Sequence, residues 1–438
     1  MSDIIRKIRH AAMAINSKKL VLIFGYQLVH SPCWFNSSLL FSNIYNIIAI
    51  KEGEGGKMLY RSLGKSSIEV SCLGIGGVPM NGMEPQGIID LIKLGHEHGI
   101  NLLDIYMAEA WIRDSIGKAL KGCRADFVIQ GHIGTKSENG KTVRIRDLKE
   151  TAASFEDLCS RLDTDYIDIG MLYFVDSPED YDSVFNSPII EYAQSLKAQG
   201  TIKLIGMGSH NPVTALKAVE TGLVDVLMFS INPAYDLARA DVDIFTLKAH
   251  GGFNSEGLKI DPARQRLYAA CEQRGVAITV MKSLGAGTLL AAAASPFGRE
   301  LTVAQCIEYG LDRPAVASVI LGCKNIPELE TALTYFTTSP EARSYSHIFE
   351  GCESIVANGR CMYCNHCQPC PEGIDIAAVT KYLDIAVTSG SVSATVRDHY
   401  DALHKNAKDC SYCGSCEERC PFEVAIRENM ERASATFA

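Results

Sequence analysis

Tyr166-Ile-Asp-Ile-Gly-Met-Leu-Tyr-Phe174 is a short apolar run, and Asp147 to Arg161 just before it repeats its apolar residues at helical spacing. A short apolar run that follows an amphipathic helix is the signature of a parallel strand reached by a crossover helix. The same alternation fills the chain from Cys72 to about Phe336. Strand candidates begin near Cys72, Asn101, Asp126, Tyr166, Ile202, Val224, Val276 and Val316. Eight strand-helix units in about 250 residues predict a TIM (β/α)8 barrel. A doubly wound sheet is the rival, but no Gly-x-Gly-x-x-Gly opens a helix after a strand, and Leu73-Gly-Ile-Gly-Gly77 has the wrong spacing.

Working outward, the chain divides into three parts: an extension over 1–57, the barrel over 58–338, and a linker with a small domain over 339–438. The extension is apolar from Leu20 to Ile50, but His30-Ser-Pro32 and Asn36-Ser-Ser38 break it below the length of a membrane span. Basic residues precede Leu20 to Phe24, yet no small-residue cleavage site follows, so a signal peptide is disfavoured. Glu52-Gly-Glu-Gly-Gly-Lys57 precedes Met58, and its codons suit a ribosome-binding site. Translation from Met58 is therefore the expectation. The net charge is -9 with no basic stripe, which excludes nucleic acid as a partner class. No membrane association is expected either.

Eight of the sixteen cysteines crowd into two runs beyond the barrel: Cys361, Cys364, Cys367 and Cys370-Pro371, then Cys410, Cys413, Cys416 and Cys420-Pro421. Three cysteines two residues apart suit an iron-sulfur cube, and a fourth before proline commonly completes the neighbouring cube. Zinc usually takes two cysteine pairs across a longer loop, and disulfides need an oxidising compartment. The runs predict two [4Fe-4S] clusters in a cytoplasmic protein. One ligand set joins Cys361, Cys364 and Cys367 to Cys420, and the other joins Cys410, Cys413 and Cys416 to Cys370. The alternative leaves each run with its own quartet. Helices are expected at Ala377 to Val387 and Ser393 to Leu403, between the runs.

The chain resembles the aldo-keto reductases in Tyr60-Arg-Ser-Leu-Gly64-Lys-Ser-Ser-Ile-Glu-Val-Ser71, Gly99-Ile-Asn-Leu-Leu-Asp104 and Asp165-Tyr-Ile-Asp168, over about Leu59 to Phe336. With the cysteine runs it resembles the bacterial branch that fuses this barrel to a ferredoxin-like tail. The resemblance implies carbonyl reduction by an Asp, a proton-donating Tyr, a Lys and a His. Only Asp104 matches. Glu109 stands at the Tyr position, His132 at the Lys position and Tyr173 at the His position. One reading makes Asp104, Glu109, His132 and Tyr173 a rebuilt acid-base cluster; the other makes the barrel a scaffold that has lost catalysis. A conventional NADPH-dependent carbonyl reductase is a third.

The resemblance also implies NADP(H) across the later strand ends. Ser209-His210-Asn211, Lys282 before Gly285-Ala-Gly287, and Gly322-Cys-Lys324 occupy the matching positions. Lys282 and Lys324 suit phosphates, and a flavin is the less favoured alternative for the glycine turn. The expected function is an iron-sulfur oxidoreductase that takes a small-molecule substrate and exchanges electrons with a ferredoxin or another redox protein.

Overall fold

The computed structural model describes residues 50–53, 56–239, 260–349 and 359–438. Most of the 1–57 extension lies outside them. The exception is β1 (Ile50–Gly53), which pairs antiparallel with β2 (Gly56–Ser62), and β2 pairs in turn with β3 (Glu69–Ser71). This hairpin closes the base of the barrel. Leu63 and Val70 join Leu102, Val128, Ile169 and Leu204 in the barrel interior. The turn needs Gly64, which has φ +57° and whose Cβ would lie 2.0 Å from the carbonyl oxygen of Gly275.

All eight expected barrel strands are present: β4 (Leu73–Gly76), β5 (Leu102–Ile105), β6 (Val128–Ile133), β9 (Ile167–Leu172), β10 (Ile202–Ser209), β11 (Val226–Ser230), β12 (Ala277–Met281) and β13 (Val316–Leu321). They close as a parallel barrel in the order β10-β11-β12-β13-β4-β5-β6-β9. The helix α3 (Leu148–Arg161) begins where Asp147 accepts a hydrogen bond from the Glu150 N–H, and it buries Phe155 and Leu158. Covering each such side chain stabilises the layer by about 2 kcal/mol. At the lower ends of the strands, Asp168 accepts from the Ile129 N–H, Arg124 and Lys203, tying β6, β9 and β10 together. The antiparallel hairpin of β7 (Thr135–Glu138) and β8 (Lys141–Arg144) was not anticipated; it follows β6 directly and stands over the barrel mouth.

Two barrel helices, α8 (Pro262–Arg274) and α9 (Val303–Leu311), face the C-terminal part of the chain. There α12 (Ile376–Ser389) and α13 (Ala394–Asp401) lie between the cysteine runs, and α15 (Ile426–Thr436) follows the second. Barrel and tail form one compact unit. Glu272 of α8 accepts from the His399 imidazole of α13, and Gln273 donates to the Ser391 carbonyl. Arg313 lies between the rings of Tyr309 and Tyr363, 4.3 and 4.9 Å from their centroids, and donates to the Met362 carbonyl at 2.7 Å. Among the described residues, no helix is long and apolar enough to cross a membrane.

Candidate active site and cysteine loops

The parallel register brings Asp104 of β5 beside Gln130 of β6. Period-two alternation then puts His132 on the same inner face as Gln130. Asp104 Oδ1 accepts from Gln130 Nε2 at 3.0 Å and lies 2.9 Å from His132 Nε2. A carboxylate there fixes the tautomer: Nε2 carries the proton and Nδ1 is left with no partner among the described residues. All three side chains are buried.

Two tyrosines flank this pair. The Tyr106 and Tyr173 rings are nearly parallel with centroids 6.0 Å apart, and each meets the His132 ring edge-on, at 6.2 and 5.5 Å. Burial, followed by Tyr173, Glu109 and Asp104, pushes the Tyr106 hydroxyl up to about 12. Burial also raises Tyr173. Both phenols therefore keep their protons at neutral pH and are donors rather than bases. Glu109 is buried; its Oε2 accepts from Thr142 of β8 at 2.8 Å, and its Oε1 has no partner among the described residues. Thr142 also accepts from the Ala108 N–H at 3.0 Å, so the hairpin clamps the loop that carries Tyr106 and Glu109. The four expected catalytic residues thus meet in one place, with Tyr106 and Gln130 added.

At the next strand end, Asp176 organises two of the expected cofactor residues. Its Oδ1 accepts from Ser209 Oγ at 3.1 Å and from the His210 N–H at 2.6 Å, while its Oδ2 lies 2.9 Å from His210 Nδ1. Burial pushes the Asp176 carboxyl up, but the bonds from His210 and Ser209 outweigh it and hold it low. Asn211 caps the helix α6 (Pro212–Glu220). Lys282 has φ 62° and opens a turn in which Gly285, Ala286 and Gly287 also have positive φ. Strain of this kind clusters at functional loops. Gly322 rests against Pro79. The Lys324 N–H donates to Glu328 at 2.8 Å, so a phosphate at that helix start would have to displace the Glu328 carboxylate.

The family model matches residues 72–298 under the description aldo/keto reductase family, more than half of the chain. The chain belongs to the aldo/keto reductase family. This member is 25% identical over 284 residues to the uncharacterized oxidoreductase YqkF of Bacillus subtilis (strain 168), covering 62% of this chain and 89% of that one. It is also similar in structure to an aldo-keto reductase from Bacillus halodurans in its holo form, with TM-score 0.51 and 22% identity over 66% of this chain and 95% of that one. At that identity the likeness speaks for the fold alone. An oxidoreductase activity follows from membership, while both cysteine runs lie beyond the matched residues.

In those runs the backbone repeats itself. Tyr363 and Tyr412 both have φ near +60° and both donate a backbone N–H to the preceding cysteine sulfur at 3.4 Å. Asn365 and Gly414 share positive φ two residues later, as do Gly373 and Glu423, three residues past Cys370 and Cys420. Cys370 lines one cavity with Cys410, Cys413 and Cys416. Cys420 acts electrostatically on Cys364 and Cys367. Arg419 bridges the runs by donating to the Cys367 and Pro369 carbonyls at 2.9 and 2.6 Å. The Phe422, Phe349 and Phe297 rings follow one another at 5.8 and 5.9 Å, from the second run to the barrel loop after β12. Among the described residues no cysteine forms a disulfide, and no three His, Cys, Asp or Glu side chains are placed to hold a metal ion.

Proposed function

We propose that this aldo/keto reductase family member is an iron-sulfur oxidoreductase of the cytoplasm. Its barrel mouth takes a small organic substrate, and its tail exchanges electrons with a ferredoxin or similar one-electron partner. The observation that carries this reading is the grouping of Cys370 with Cys410, Cys413 and Cys416 around one cavity. That is the ligand set a crossed pair of cubes requires. A single ion needs its ligands at about 2.3 Å from one point, whereas a cube gives each thiolate its own iron. The Cys-x-x-Cys-x-x-Cys spacing of each run, followed by a Cys-Pro, fits two [4Fe-4S] clusters better than zinc. Cys361, Cys364, Cys367 and Cys420 would hold one, the remaining four the other, and bound clusters would supply one-electron transfer. The Tyr363 and Tyr412 N–H groups aimed at the Cys361 and Cys410 sulfurs match the turns that present cluster ligands, although burial raises the Cys361 thiol.

At the mouth, Asp104, itself held by Gln130, fixes His132 with Nδ1 bare, so His132 accepts or returns a proton at that atom. Tyr106 and Tyr173 hold a substrate oxygen and donate to it. Glu109 adds to burial and Tyr173 in keeping the Tyr106 hydroxyl protonated.

Conventional carbonyl reduction with NADP(H) is the second reading. Family membership favours it, as does Tyr106, which offers a protonated donor two residues from Asp104. Ser209, His210, Asn211, Lys282, Gly322 and Lys324 would lie along the cofactor, which supplies hydride when bound.

Purification without oxygen, with iron and sulfide counted and the reduced protein followed optically, separates the two. Iron with a spectrum that answers to ferredoxin supports the first reading. An iron-free chain that oxidises NADPH with a carbonyl substrate replaces it by the second.

A further inference from the structure

A cavity beside a charged cluster lies on the face of the barrel away from the mouth. It has a volume of about 300 Å3 and lies under the amino ends of β12 and β13, where Val276 and Val316 line it. Its remaining walls come from the β2 hairpin, α8, and α12 and α13 of the tail. This end of a barrel ordinarily carries stability rather than chemistry. The charges here do not read that way.

Arg61, Arg313, Lys381 and His399 line the cavity, against a single carboxylate, Glu272. That carboxylate is already used, because it accepts from the Ala315 N–H at 2.5 Å and from His399. Lys381 has no hydrogen bond and no ion pair among the described residues; its ammonium only overlooks the Tyr382 ring at 5.5 Å. The nearby carboxylates are committed elsewhere, Asp312 to the Tyr345 hydroxyl and Asp375 to the Ala378 N–H. Arg61 spends Nη1 on the Leu311 and Val316 carbonyls. Arg313 is 1% exposed, yet its Nε and Nη1 have no partner among the described residues. Two guanidinium groups, an ammonium and an imidazole thus outnumber the one carboxylate that lines the cavity, and an anion there would offset the cost of gathering them.

We infer that this cavity is a second ligand site, built for a small phosphorylated molecule whose oxyanion sits between Arg61 of the barrel and Lys381 of the tail. Two cations from separate parts of the chain match the doubly charged head of a phosphate monoester. A space of 300 Å3 holds the equivalent of about ten waters, more than a phosphate alone requires, and the Tyr382 ring offers a face for the organic body. Burial pulls the Lys381 ammonium below its ordinary value. An oxyanion would relieve that.

The test is calorimetric titration of the full chain, prepared without oxygen, with inorganic phosphate and with adenosine monophosphate at fixed ionic strength. Saturable binding is expected for both, tighter for the nucleotide. Lys381→Met weakens both at least about tenfold, and Lys381→Arg restores most of the loss. Lys381→Met also raises the melting temperature of ligand-free protein, since burial disfavours that charge more than the neighbouring carboxylates favour it, so loss of binding with gain of stability separates a site from a misfolded variant. Absence of saturable binding to wild type, or equal affinity in Lys381→Met, overturns the inference. Tighter binding of phosphate than of the nucleotide overturns the part about the organic body.

Discussion

Asp104 Oδ1 lies 2.9 Å from His132 Nε2 at the floor of the barrel mouth, and this contact orders the site. It leaves Nδ1 without a partner among the described residues, and both tyrosine rings meet the imidazole edge-on. His132→Ala and Tyr173→Phe should each lower turnover by about a hundredfold with the melting temperature little changed. Steady-state kinetics on a panel of small aldehydes and ketones, with ferredoxin or NADPH as reductant, checks this. Full activity in both variants would refute the catalytic roles given to His132 and Tyr173.

Tyr106→Phe should cost a similar factor, about a hundred. Because the Tyr106 hydroxyl is pushed up to about 12, its proton is retained well past the ordinary phenol value of 10.0. The pH-rate profile should therefore show no alkaline fall from this group near pH 10. An inflection there that vanishes in Tyr106→Phe would contradict the burial argument.

The grouping of cysteines makes a prediction about pairs of substitutions. Cys370→Ser combined with Cys413→Ser should remove about half of the iron, since both residues border one cavity. Cys370→Ser combined with Cys364→Ser should remove nearly all of it. If each run kept its own quartet, the two outcomes would be exchanged, and iron analysis tells them apart.

His399 and Glu272 join tail to barrel with a pH-dependent bond. Burial alone would lower the imidazolium, but Glu272 outweighs it and raises His399 above 6.5. Burial alone would raise Glu272, but His399, Lys381 and the Ala315 N–H outweigh it and hold it below 4.5. The histidine contribution is complete below 6.5 and is lost as pH rises through the raised value. The glutamate contribution is complete above 4.5 and is lost as pH falls through the lowered one. His399→Gln should thus destabilise most between pH 4.5 and 6.5, by about 1–2 kcal/mol, and progressively less at alkaline pH. Thermal melts across pH measure this.

Gly64→Ala forces a side chain into a left-handed turn and against the Gly275 carbonyl. A loss of about 1–3 kcal/mol is expected by thermal or denaturant unfolding. A neutral result would mean that the hairpin plug can move away from the barrel base.

The barrel was legible because each strand is a short apolar run and each connection a helical period, as at Val128 to Ile133 and Leu148 to Arg161. The four catalytic candidates were found by position, yet Gln130 was missed, although it lies two residues before His132 and alternation alone puts both on one face. Asp176 was missed because a carboxylate after a strand carries no sign of which neighbour it will hold. The β7–β8 hairpin escaped notice because its residues are largely polar and exposed, leaving no periodic pattern. The cavity under β12 and β13 joins residues as distant as Arg61 and Lys381, and no local spacing encodes that.

Arg313 has a further consequence, for ancestry and engineering. Its guanidinium belongs to the barrel by sequence, but its ring neighbour Tyr363 and its acceptor Met362 belong to the tail. A chain cut at Ser339 would strand that cation on a newly bared surface. The two halves therefore share one packed seam, and grafting this tail onto another barrel of the family calls for transplanting Arg313, Tyr309 and Glu272 with it.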